Sequence, residues 1–157
     1  MGVGKSAVCR QLLKILAPGV WLDGDWCWNM NPFVVSEENK QMVLNNIGYL
    51  LKSFLNNTGY EYVIFCWVIH QEAIFDQLLV QLQGLDFELH KISLVCSEQA
   101  LTTRLQNDVK AAIRNQDVIE RSIPRLALYQ DMDTQKIDVS TITTEQAAKE
   151  IMQLVRN

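Results

Sequence analysis

The chain has 157 residues, of which 48% are hydrophobic and 20% charged, and its net charge is −4. This composition and length exclude collagen-like, disordered and mini-protein classes and predict one domain over residues 1–157. The negative charge argues against nucleic acid as a partner, because binding to the phosphate backbone needs a basic surface. No apolar run reaches the ~20 residues of a membrane-spanning helix and the sequence starts without a signal peptide, so we expect no membrane partner and a cytoplasmic location.

The first elements are a glycine-rich turn and a helix. Apolar residues recur at helical spacing over residues 7–16, directly behind Gly4-Lys5-Ser6, and Pro18-Gly19 closes this helix. Residues 20–22 form a short apolar run that predicts a strand, and the Asp-Gly-Asp sequence at residues 23–25 predicts a turn after it.

Strand and helix patterns alternate along the rest of the chain. The patterns predict helices over residues 36–55, 71–83, 97–105 and 143–155, a helical segment opened by a capping box at Asp117 and Glu120, and strands over residues 62–69, 89–96 and 136–139. A second capping box is predicted at Thr143 and Gln146. This alternation predicts an α/β fold, a three-layer sandwich with a parallel sheet and right-handed crossovers.

Gly4-Lys5-Ser6 supply the last three positions of the phosphate-loop signature G-x-x-x-x-G-K-[ST], whose first glycine would lie two positions before Met1. Such a loop turns backbone N–H groups inward and adds the positive end of the following helix. Lys5 would pair with the β- and γ-phosphates, and Ser6 would ligate Mg²⁺. The alternative is a flexible N-terminus that contains these letters by chance.

Asp23 and Asp25 follow a predicted strand, and functional sites gather at the carboxyl ends of parallel strands. In phosphoryl transfer, one carboxylate can hold Mg²⁺ through water while the other accepts the proton of the attacking hydroxyl. The alternative is an ordinary Asp-Gly-Asp surface turn.

Together, Gly4-Lys5-Ser6 and Leu22-Asp23-Gly24-Asp25 resemble the small P-loop kinases that include adenylylsulfate, gluconate and shikimate kinases and chloramphenicol phosphotransferases. The resemblance implies a P-loop kinase fold and ATP- and Mg²⁺-dependent phosphotransfer to a hydroxyl or phosphate of a small molecule. The strand that leads into such a loop is absent from this sequence, so we expect either a chain that starts at an internal methionine or a sheet closed in another way. The alternative function is nucleotide binding without phosphotransfer.

The resemblance also implies roles for individual residues. Lys5, Asp25 and Arg114 are the expected catalytic residues, and Ser6 and Asp23 the expected metal ligands. The expected ATP-binding residues are Gly2, Val3, Gly4, Lys5, Ser6, Ala7 and Arg104. Arg104 is expected on the adenine side and Arg114 on the phosphates, within or beside a lid-like segment around residues 106–125, although solvated helix charge is an alternative for each arginine.

Aromatic residues surround the predicted carboxylates. Trp21, Trp26 and Trp28 could stack on a ring-bearing substrate or pack in the core, and both interpretations stay open here. His70, at the end of the strand over residues 62–69, could face substrate, but we interpret it as a structural histidine with satisfied hydrogen bonds. The sequence leaves the acceptor and the oligomeric state undetermined.

Overall fold

The computed structural model describes residues 1–156, which form four strands and six α-helices joined by short 3₁₀ turns. In chain order the elements are α1 (Lys5–Ile15), β1 (Gly19–Asp23), α2 (Glu37–Leu55), β2 (Tyr62–Cys66), α3 (Glu72–Gln81), β3 (Ile92–Val95), α4 (Glu98–Lys110), α5 (Val118–Ser122), β4 (Gln135–Asp138) and α6 (Thr144–Val155). No helix among these described residues is long and apolar enough to span a membrane.

The strands pair in parallel, as predicted, but they form two separate two-stranded sheets. β1 pairs with β2 in a register that sets Asp23 opposite Cys66, and β3 pairs with β4 so that Val95 lies opposite Asp138. Over residues 1–156, no strand is hydrogen-bonded to both pairs. Contacts between the pairs are therefore made by side chains and by the helices packed on them.

Helices cover both faces of the strands and create two main cores. On one face, α1 and α6 pack against β2 and β4, with Leu12, Ile64 and Ile151 among the buried residues. On the other face, α2 and α3 pack against β1, with Ile47 and Leu78 buried. A third cluster joins α4 and α5, so the helix that carries Arg104 has its own apolar support.

Local sequence signals explain most of the helix starts. Ser36 accepts a hydrogen bond from the N–H of Asn39 at 3.1 Å and caps α2. The capping box of Thr143 and Gln146 is present at α6, as predicted.

The predicted capping box at Asp117 is wrong. Asp117 already has helical backbone angles, so its side chain makes no cap hydrogen bond. Its carboxylate instead pairs with Arg121 at 2.9 Å. The largest boundary differences from prediction are that β2 ends at Cys66, that β3 begins at Ile92, and that α4 continues to Lys110 through residues expected to be irregular. The extension contains Gln106 and Lys110, which are good helix formers, and no Gly or Pro that would end the helix.

Replacing Leu105 by Ala tests the support of α4. Leu105 is fully buried and lies against Gly2, so Leu105→Ala should leave a cavity and lower the free energy of unfolding by about 2–5 kcal/mol. The partly exposed Leu154 on α6 provides the matched control, for which Leu154→Ala should cost less than about 1 kcal/mol. Urea denaturation measures both, and equal losses would contradict the packing described here.

Candidate functional site

The loop before α1 depends on two glycines. Gly2 and Gly4 have φ angles of +79° and +106°, which lie in the left-handed region that other residues rarely adopt. A Cβ at Gly2 would also lie 2.4 Å from Leu105 Cδ2, so only glycine allows the loop to approach α4 this closely. Gly4 is the N-cap of α1 and has no side chain to bond the first turn. The N–H groups at the start of α1 and the positive end of its dipole thus suit an anionic ligand.

Ser6 and Asp23 meet at the start of α1 and the end of β1. The Ser6 hydroxyl donates a hydrogen bond of 2.6 Å to Asp23 Oδ2, although the two residues are 17 positions apart in the chain. Asp23 is buried, and its second oxygen, Oδ1, accepts a bond of 3.1 Å from the N–H of Asp25. The structure therefore brings together the two side chains that were predicted to ligate Mg²⁺.

A tight 3₁₀ turn over Gly24–Trp28 presents Asp25. A Cβ at Gly24 would lie 2.5 Å from Trp67 Cγ, so glycine is required for this turn to rest on the indole. Asp25 is exposed as a residue, yet surrounding atoms displace water from its carboxyl group. This desolvation, followed by the nearby charge of Asp23, raises the pKa of Asp25, while Lys5 and Arg114 oppose the rise.

The predicted residues surround one open cavity of about 500 Å³. Its lining includes residues 1–8 with the whole loop, Asp25, Arg104, Asp108 and Arg114, and the segment around Val139, Ile142, Thr143, Thr144 and Ala147. Gly2, Val3, Gly4, Lys5, Ser6 and Ala7 all contribute to this lining. Asp23 lies behind the lining, where it holds Ser6.

The two predicted arginines are held in different ways. Arg104 donates hydrogen bonds from its guanidinium to the carbonyl oxygens of Val3, at 3.2 Å, and of Val139. It therefore ties the loop to the end of β4 as well as lining the cavity. Arg114 lines the cavity while its Nε donates to Asp108 at 2.9 Å.

Several site features have no clear sequence signal. Asp108 pairs with Arg114 across a bend in the chain, and the Val139 carbonyl is a backbone group that no motif marks. Trp67 was predicted only as part of a strand, yet it packs under Gly24. His70 Nδ1 is buried and has no hydrogen-bond partner among the described residues, which differs from a fully satisfied structural histidine.

A family model and two solved structures show what this chain is similar to. The family model described as AAA domain (AAA_18) matches residues 1–124, most of the chain, and the chain belongs to that family. No curated protein matches the chain by sequence.

Two solved structures are similar over nearly the whole chain. The tunicamycin resistance protein of Deinococcus radiodurans has a TM-score of 0.67 and 20% identity, with 98% of this chain and 90% of that chain covered. The APS kinase of Mycobacterium tuberculosis, in complex with AMPPNP and APS, has a TM-score of 0.60 and 13% identity, with 99% and 92% covered. The predicted α/β fold and the predicted resemblance to P-loop small-molecule kinases are confirmed.

The effect of the charges around Asp25 on its pKa can be tested without a ligand. Arg114→Gln removes a positive charge that favours the carboxylate, so the pKa of Asp25 should rise further. Asp23→Asn removes a negative charge and should shift that pKa downward. Carboxyl-carbon NMR titration follows both, and Arg121→Gln is the control, because Arg121 pairs with Asp117 outside the cavity. An unchanged Asp25 pKa in Arg114→Gln would contradict the electrostatic contact.

Proposed function

We propose that the protein is an ATP- and Mg²⁺-dependent phosphotransferase that acts on a hydroxyl or phosphate of a small molecule. The observation that carries the proposal is the convergence of Lys5, the Ser6–Asp23 pair and Asp25 at one cavity. The similar APS kinase was solved with AMPPNP, an ATP analogue, and with APS, which supports the same class of reaction for this chain. The similarity to a protein named for antibiotic resistance also supports a small-molecule acceptor.

The residues present fit a nucleotide triphosphate and Mg²⁺. The glycine loop opens onto the positive end of α1, and Lys5 and Arg114 add charge on the cavity wall. The Ser6 hydroxyl and the Asp23 carboxylate supply the hard oxygen donors that Mg²⁺ prefers. When bound, Mg²⁺ would neutralise the developing charge on the phosphates of ATP.

Each residue then has a distinct proposed task. Lys5 and the loop N–H groups bind and orient the phosphates, and Arg114 leaves Asp108 to stabilise charge on the transferred group. Asp25 accepts the proton of the attacking hydroxyl, and its raised pKa makes it a better base near neutral pH than an ordinary aspartate. Arg104 holds the adenine side of the cavity in shape, and residues 106–125 act as a lid.

Nucleotide binding is tested by thermal denaturation with and without Mg·ATP. At a hundredfold excess over Kd, the ligand should stabilise the folded state by about 2.7 kcal/mol, which corresponds to a rise in Tm of roughly 5–10 °C. Lys5→Ala should abolish the rise, because it removes the cation nearest the phosphates. Lys14→Ala, on the exposed far end of α1, is the control and should keep it. No shift in the unaltered protein at millimolar Mg·ATP would overturn the proposal.

The two aspartates should separate in kinetics. Asp25→Asn removes the base and should lower turnover by roughly 10²–10⁴-fold with nucleotide affinity nearly unchanged. Asp23→Asn should raise the Mg²⁺ concentration needed for half-maximal rate, and Asp76→Asn on the exposed side of α3 should change neither. Phosphorus NMR over a panel of nucleosides, sugars and hydroxylated antibiotics provides the acceptor. If nucleotide binds and no compound is phosphorylated, the alternative of a binding protein without phosphotransfer is favoured.

A further inference from the structure

An aromatic and aliphatic surface extends from the 3₁₀ turn that carries Asp25. We define the acceptor wall as Trp26, Trp28, Phe33, Val34 and Val35. Trp26, Phe33 and Val35 are 55%, 65% and 57% exposed. These exposed fractions are high for apolar side chains that lie within ten residues of one another in the chain. Trp28 lies 5.9 Å from Phe33 between ring centroids, and Trp26 lies 5.0 Å from Trp21, so the wall is built on packed rings. Its indoles immediately follow the proposed base in the chain.

Basic side chains are nearly absent from this half of the protein. Residues 15–90 contain nine Asp and Glu residues, and Lys40 and Lys52 are their only Lys or Arg residues. The next cation, Lys91, is paired with Glu72 at 3.8 Å and with Asp133 at 3.3 Å. Lys40 is paired with Glu37 at 2.7 Å, and Lys52 lies in the last turn of α2, far from its start. Three cations act on Asp25, and the residues that carry them, Met1 with its amino group, Lys5 and Arg114, line the nucleotide cavity. Arg125 acts on the Met1 amino group and on Tyr129.

The helix starts near the wall offer no substitute for a cation. α2 begins at the end of the wall, is capped by Ser36, and has Glu37 and Glu38 in its first turn. α3 has Glu72 in its first turn, where the carboxylate accepts from Asp133 N–H at 2.8 Å. The positive ends of both helix dipoles are therefore already balanced by carboxylates of the chain itself.

We propose that the acceptor is a hydroxyl compound with a ring or alkyl face and without an anionic group. This rests on the proposed function and narrows it, because it excludes phosphorylated, sulfated and carboxylated acceptors, including one like APS. An anion on the acceptor wall would lose water without gaining Arg, Lys or a free helix N-terminus. A ring would gain apolar contact with Trp26, which directly follows Asp25 in the chain, and its hydroxyl would be presented to Asp25. Nearby carboxylates also allow a cationic group on the acceptor.

Three matched compounds test the proposal: para-(hydroxymethyl)benzamide, para-(hydroxymethyl)benzylamine and para-(hydroxymethyl)benzoate, which are neutral, cationic and anionic. Binding to the full chain is measured by saturation-transfer NMR with and without Mg·AMPPNP. The amide or the amine should bind at least about tenfold more tightly than the benzoate. Trp26→Ala should weaken that binding by up to about tenfold, since it removes the stacking ring. Tyr49→Ala, an aromatic residue that is 74% exposed on α2, should have no effect.

A charge variant gives the reciprocal test. Val35→Lys places a cation on the acceptor wall and should strengthen benzoate binding relative to the amide. The proposal would be overturned if the benzoate bound the unaltered protein as tightly as the amide, or more tightly, and if Arg125→Gln abolished that binding. Such a result would show that Arg125 is a cation that binds the acceptor. Binding of none of the three compounds, or an unaffected Trp26→Ala, would also overturn it. Binding of Mg·AMPPNP to the unaltered protein is measured separately, and the absence of that binding would count against the proposed phosphotransferase.

Discussion

The hydrogen bond from Ser6 to Asp23 is the constraint on which the geometry of the site depends. It joins the first turn of α1 to the last residue of β1, two elements that are otherwise connected only by packing and a loop. Because Asp23 is buried and its other oxygen is bonded to the Asp25 N–H, one carboxylate fixes both the loop and the following turn. A buried carboxylate without these donors would be strongly unfavourable, so burial enforces the arrangement.

In the proposed site, two chemically different surfaces meet at Asp25. The loop, α4 and the segment after β4 contribute cations, N–H groups and a cavity suited to a polyanion. The side that follows β1 contributes indoles and aliphatic groups among carboxylates. Asp25 is held at this boundary by Gly24, whose lack of a side chain lets the turn rest on Trp67. The raised pKa of Asp25 follows from the same position, between displaced water and the neighbouring charge of Asp23.

Sequence periodicity and short motifs predicted every helix and strand in order, because the apolar residues recur at the spacing of each element. The meeting of Ser6 and Asp23 was predictable too, since a phosphate loop and the carboxyl end of a neighbouring parallel strand share one edge. The Asp117 cap failed because spacing alone does not report backbone angles. No local pattern encodes the pairing of the strands in two sheets, because that pairing depends on tertiary packing. The same holds for the two partners of Arg104, which lie 101 and 35 residues away from it in the chain. The roles assigned to Lys5, Asp25 and Arg114 stay predictions.

Arg104 joins the loop to the second strand pair through two backbone carbonyls. A guanidinium has five N–H donors in a rigid plane, whereas a lysine ammonium is a point charge on a flexible stem. A change to lysine would keep the charge and lose the fixed bridge. Since backbone carbonyls are present whatever the side chains at Val3 and Val139, the bridge depends on the side chain of Arg104 and not on theirs. Efforts to alter nucleotide preference in this protein should therefore redesign the surrounding side chains and leave Arg104 in place.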